Sequence, residues 1–165
     1  AVPDGDLVIP PINSIQMSFD HVVFSRDWHP GDHCSFSDSP EYKDGSWPRH
    51  CVQHTPGAEF PSSLRVPVDA LIVDTAFKSD KEGYSAFEDT TLAATLRERG
   101  ITRVFITGLA LDYCVKETAL DALRVGFEVV LVEDGTRAIA VNQTEALLRE
   151  LRDAGARTIK SSDLS

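Results

Sequence analysis

Three short apolar runs constrain the fold more than any other feature: ALIVD at residues 70–74, RVFIT at 103–107 and EVVLV at 128–132. Each is nearly continuous rather than alternating, which is the pattern of parallel strands covered on both faces. HVVFS at 21–25 and the weaker RTIK at 157–160 extend the series. Helical periodicity fills the intervals. Residues 90–99 carry Leu92, Ala93 and Leu96 and stop at Gly100, a good residue just past a helix end. Residues 113–125 set Val115, Ala119, Ala122 and Leu123 on one stripe, with Gly126 after it. Asn142, with Glu145 three residues later, resembles a capping box ahead of Leu147, Leu148 and Leu151. An early helix is expected within residues 7–19, with Pro10 and Pro11 near its start. Strand alternating with helix predicts an α/β domain with a mostly parallel sheet. In such sheets functional groups gather beyond the carboxyl ends of the strands.

The chain of 165 residues shows no repeat or linker and reads as one domain over 1–165. Its net charge of −10, without a basic run, argues against nucleic acid or an anionic membrane surface as the partner. No stretch is long and apolar enough for a bilayer span. Three cysteines, Cys34, Cys51 and Cys114, make a poor disulfide framework, so a reducing, cytoplasmic setting is expected. Residues 34–67 hold five prolines and two glycines and read as a long irregular excursion, a feature often tied to function.

Two constellations carry chemistry. DWHPGDHC at 27–34 ends the first strand with Asp27 and His29 two residues apart and His33 four residues further on. His50 lies in the excursion. One carboxylate and three imidazoles suit zinc, iron or manganese better than calcium or magnesium. The same spacing also fits loop histidines bonded to backbone or water. The second constellation is ITGLALDYCVKETALDAL, a strand, a short turn and a helix, with Asp112 expected as N-cap and Cys114 in the first turn. Helix-start N–H groups favour a thiolate and can hold an oxyanion. A packed, inert cysteine is the competing reading. Lys78 and Lys81 both follow the second apolar run, and either could face such a thiolate.

Taken together, AVPDGD, DWHPGDH, SWPRHCVQHTPGAEF, the lysine before YSAFED and GLALDYCVKETALDAL resemble, in order, the motifs of the nicotinamidases. These belong to the isochorismatase-like cysteine hydrolases. The resemblance implies a three-layer α/β/α, Rossmann-like fold. It implies hydrolysis of nicotinamide to nicotinic acid and ammonia through a cysteine thioester, in NAD salvage, with pyrazinamide also accepted. Cys114 is then the nucleophile and Lys78 the catalytic lysine. Asp27, His29, His33 and His50 bind one divalent metal, zinc ahead of iron or manganese. A cis peptide between Leu109 and Ala110 turns the Ala110 N–H toward the oxyanion, beside that of Cys114. Trp47, Tyr84, Leu109 and Tyr113 flank the substrate ring, and a homo-oligomer is expected.

The pattern departs from the family at one point. The relatives' first strand, with a further aspartate in a segment like D-x-Q-x-D-F, precedes the AVPDGD region, and this sequence begins after it. The natural protein is therefore expected to carry an additional N-terminal segment, and with it the general acid/base. Without that strand its two neighbours would present unpaired edges or collapse together. Two other readings fit the motifs: hydrolysis of another small amide or ureido compound, and a homologue that binds its ligand without turnover.

Overall fold

A computed structural model describes all residues except Lys43 and Ser165. Five strands form where the apolar runs lie: β1 (Val23–Asp27), β2 (Leu71–Thr75), β3 (Arg103–Leu109), β4 (Glu128–Arg137) and β5 (Arg157–Ile159). All pairings are parallel. β1 pairs with β2 from Val23 opposite Leu71 to Asp27 opposite Thr75. β3, β4 and β5 form a second group in that order. A register shift between Ile106 and Gly108 brings Leu109 opposite Arg137.

The helices are α1 (Ile9–Ile15), α2 (Leu92–Glu98), α3 (Lys116–Arg124) and α4 (Thr144–Asp153). The core is centred on β4, where Val129, Val130, Leu131 and Val132 are no more than 2% exposed. α3 sets Ala119 and Ala122 into it, and α4 adds Leu147, Leu148 and Leu151. The small side chains on α3 let that helix approach the sheet closely. Each buried leucine contributes about 1.5–3 kcal/mol.

Some local expectations shift. β1 starts two residues later than the apolar run and ends on Asp27, so the carboxylate belongs to the strand itself. Asn142 does not cap α4. It lies in the 3-10 turn Val141–Gln143, and no side chain caps the helix that follows. The Thr144 hydroxyl donates to the Val141 carbonyl at 2.8 Å instead.

The excursion between β1 and β2 is pinned by backbone bonds rather than by regular structure. The His29 N–H donates to the Cys51 carbonyl at 3.0 Å, and the Gln53 N–H to the His29 carbonyl at 2.8 Å. The Trp47 N–H donates to the Ser35 carbonyl at 2.7 Å. These contacts hold Trp47 and His50 over the carboxyl end of β1. The facing edges of β1 and β3 are not paired with each other. Between them lies a cavity of about 980 Å³, walled by residues 22–27 on one side and 106–110 on the other. Among the described residues no helix is long and apolar enough to cross a membrane.

Candidate active site

The carboxyl ends of β1, β2 and β3 converge on this cavity. Asp27 ends β1, Thr75 ends β2, and Ala110, Tyr113 and Cys114 follow β3, all on its wall. Asp27, His29 and His50 each offer a ligand atom, and these atoms lie within 4.8 Å of one another. The ring contacts fix which atoms these are. His29 Nδ1 lies 3.1 Å from the His50 carbonyl, and His50 Nδ1 lies 2.8 Å from the Pro48 carbonyl. A carbonyl only accepts, so both Nδ1 atoms carry the proton and both Nε2 atoms keep a lone pair. This is the orientation that backbone partners impose on metal-ligating histidines. Burial lowers the His29 pKa to about 4, against the opposing pull of Asp27, so its ring is neutral as a ligand must be. The donor set thus fits a divalent metal of the zinc type.

His33 is not part of that group. It is buried against His29, with ring centroids 4.4 Å apart. Its Nε2 lies 2.9 Å from the Lys81 carbonyl, which makes Nε2 the donor. Its Nδ1 then accepts from the Ser35 hydroxyl at 2.7 Å. No lone pair is left for an ion. The sequence spacing did not reveal this, because the Lys81 carbonyl comes from a segment 48 residues away.

Cys114 lies in a π-helical turn, Leu111–Val115, that joins β3 to α3. The N-cap of that turn is Ala110, not Asp112. The Leu109–Ala110 peptide is cis, as the motif implies. The backbone N–H groups of Ala110 and Cys114 both face the Cys114 sulfur and favour its anion. The balance nevertheless falls the other way from the helix-start expectation. Burial pushes the thiol well above its ordinary range, and the Asp27 carboxylate pushes it further. The thiol donates to Asp27 Oδ1 at 3.8 Å.

Lys78 is not brought to this thiol. It lies three residues past the end of β2, its side chain is 47% exposed, and its Nζ pairs with Asp89 at 3.0 Å. The strand-end position belongs to Thr75, which is buried and donates toward Asp27 Oδ1 at 3.3 Å. Lys81 also turns outward, to Glu88 and Asp89. The lysine-rich stretch read as adjacent to the strand is thus a surface turn, and its ion pairs with Glu88 and Asp89 carry the ammonium groups away.

Aromatic residues close one side. Trp47 and Tyr113 meet edge to face at 5.0 Å between centroids, and Tyr84 lies 5.7 Å from Tyr113. The Trp47 indole N–H donates to the Tyr84 hydroxyl at 3.3 Å, which orients both rings. Leu109, 40% exposed, adds an aliphatic face.

The isochorismatase domain family matches residues 7–163. The chain belongs to the isochorismatase family. A nicotinamidase from Acinetobacter baylyi is 35% identical over 183 aligned residues, covering 99% of this chain and 86% of the relative. A nicotinamidase/pyrazinamidase from Mycobacterium tuberculosis is 38% identical, covering 87% of this chain and 78% of its own. Among solved structures, the pyrazinamidase of Pyrococcus horikoshii in complex with zinc superposes with a TM-score of 0.87 at 45% identity. That match covers 96% of this chain and 88% of the other. These relatives make this isochorismatase-family chain an amidohydrolase, with the parallel α/β fold of the solved nicotinamidases.

Proposed function

We propose that this amidohydrolase converts nicotinamide, and the close analogue pyrazinamide, to the free acid and ammonia, in salvage of the pyridine ring for NAD. One observation carries the reading: the Cys114 thiol and the metal-type ligand group share one carboxylate, that of Asp27. A nucleophile and an ion site are thereby held within the length of a single-ring substrate. Asp27, His29 and His50 would hold a divalent ion, zinc for preference; when bound, such an ion supplies an electrophilic anchor for water or a ring nitrogen. Trp47, Tyr84, Tyr113 and Leu109 hold the ring. The Cys114 sulfur bonds to the amide carbon while the carbonyl oxygen turns toward the Ala110 and Cys114 N–H groups. The C–N bond then breaks, and the thiol hydrogen leaves in ammonia. Water opens the thioester, returning the thiol and releasing the acid. The experiment is ammonia release from nicotinamide by wild type and by Cys114→Ala, with metal content measured in both. Activity that is lost in the variant while metal is retained supports the reading; equal activity refutes the nucleophile.

Binding without turnover is a second reading, and one observation favours it. Among the described residues of the cavity wall, the only lysine or arginine is Arg26, which pairs with Asp74 at 2.7 Å. Among the described residues, no free side-chain cation lines the cavity beside the thiol to lower its pKa. Calorimetric binding of nicotinamide with no ammonia formed would select this reading.

A further inference from the structure

The mechanism leaves Asp112 without a role, yet its carboxylate is fully engaged. Oδ1 accepts from the Ile139 N–H at 3.0 Å, and Oδ2 from the Ala140 N–H at 2.9 Å. Both donors lie just past β4, 27 and 28 residues along the chain. The carboxylate therefore does not serve its own turn, as an N-cap would. It fastens that turn to the neighbouring strand's exit. Asp112 lies two residues after Ala110 and two before Cys114, the residues that supply the two N–H groups facing the sulfur.

The turn needs such a fastening. The Tyr113 and Val115 N–H groups share one acceptor, both donating to the Ala110 carbonyl at 3.1 Å. No side chain caps it. On the far side, Leu109 pairs with Arg137, and the next residue, Ala138, is buried, so the donors follow directly from a packed strand end. Charge-assisted bonds from a carboxylate to two backbone N–H groups are about twice as strong as neutral ones.

We infer that Asp112 is a positioning residue. It locks the 110–114 turn to the end of β4, so that the Ala110 and Cys114 N–H groups converge where the substrate's carbonyl oxygen must move during attack. The inference rests on the proposed amidase reading. It adds that donor convergence is set by a carboxylate that touches neither substrate nor sulfur.

The test compares two probes. Pyridine-3-carbaldehyde needs the donor pair, because the thiol adds across its C=O: sulfur bonds to carbon, and the thiol proton passes to the oxygen. 3-Methylpyridine fills the ring pocket and has no oxygen. In D112N one acceptor oxygen survives and an amide N–H₂ faces the other donor. The expected result is aldehyde affinity reduced about tenfold or more, with 3-methylpyridine affinity within about twofold, and kcat lowered with KM little changed. The loss is smaller than the 10²–10³-fold from deleting one such donor, because both donors remain. D112S keeps one acceptor and should lie between wild type and D112A. Affinities for the two probes falling together would make Asp112 merely structural and overturn the inference, as would wild-type behaviour in D112N. Failure of both D112N and D112S to melt cooperatively would overturn it too. Wild-type protein that binds neither probe refutes the amidase reading and this inference with it.

Discussion

Gly83 and Gly100 share a backbone conformation and differ in surroundings, which makes them a matched pair. Gly83 has φ +70° and Gly100 φ +71°. A Cβ on Gly83 would lie 2.7 Å from the Ala76 Cα and 2.8 Å from its nitrogen, whereas one on Gly100 meets nothing within 4 Å. Both G83A and G100A carry the left-handed penalty of an L-residue, about 1–2 kcal/mol. G83A adds backbone overpacking, about 1–3 kcal/mol. Ala76 cannot yield easily, since it is buried, has φ +52° itself and follows the last residue of β2. G83A should therefore destabilise by about 2–5 kcal/mol and G100A by about 1–2 kcal/mol. For a chain of this size, that is a fall in Tm of about 4–20 °C against about 2–8 °C. Urea unfolding, followed by far-UV circular dichroism, measures both. Because Gly83 precedes Tyr84, G83A should also raise KM for the amide. Destabilisation equal within about 0.5 kcal/mol, the limit of such comparisons, would show that the Ala76 contact does not exist and would refute the reasoning.

Removing the ligand group's ion with a chelator should lower Tm. Restoring zinc at 100 times its Kd should return about 2.7 kcal/mol, read as a concentration-dependent melting shift. His29→Ala should abolish zinc binding by calorimetry, while His33→Ala should weaken it far less, because His33 spends both nitrogens on Ser35 and Lys81. Lys78→Met should leave turnover within about twofold of wild type, since an exposed ion pair contributes about 0–1 kcal/mol; a hundredfold loss would restore Lys78 to the site. Burial raises the Tyr84 hydroxyl pKa to about 12 from an ordinary value of 10. Raised in the folded state, it contributes stability below pH 10 that is lost as pH climbs from 10 to 12. Absorbance at 295 nm should show a late-titrating tyrosine that Tyr84→Phe removes.

The strands and helices were legible in the sequence because buried parallel strands must be apolar on both faces. Their order along the chain therefore shows as a series of aliphatic runs. Val129 to Val132 and the Ala119–Ala122 stripe are local statements of burial, and the structure repeats them. The residues at the carboxyl strand ends were also legible: Asp27, His29 and Cys114 follow from elements whose direction is fixed, while the cis Leu109–Ala110 bond was implied only by the family resemblance. What remained hidden was hydrogen-bond partnership at long range. His33 matched the ligand pattern, but its nitrogens are claimed by the carbonyl of Lys81 and the hydroxyl of Ser35. Lys78 stood close to a strand in sequence, yet Thr75 holds the strand end and Asp89 draws the lysine outward. Asp112 matched an N-cap and instead binds two N–H groups beyond β4. The thiol's pKa reversed for the same reason. Local spacing describes the helix start beneath Cys114, but it is outweighed by burial, which is set only on folding, and by the Asp27 charge, which comes from β1. The sequence by itself determined which segments are strand and helix and which side chains reach the sheet's carboxyl edge. Tertiary structure alone decided which of those side chains are free to act, because a lone pair or a proton is committed by whichever distant group folding brings within 3 Å or so.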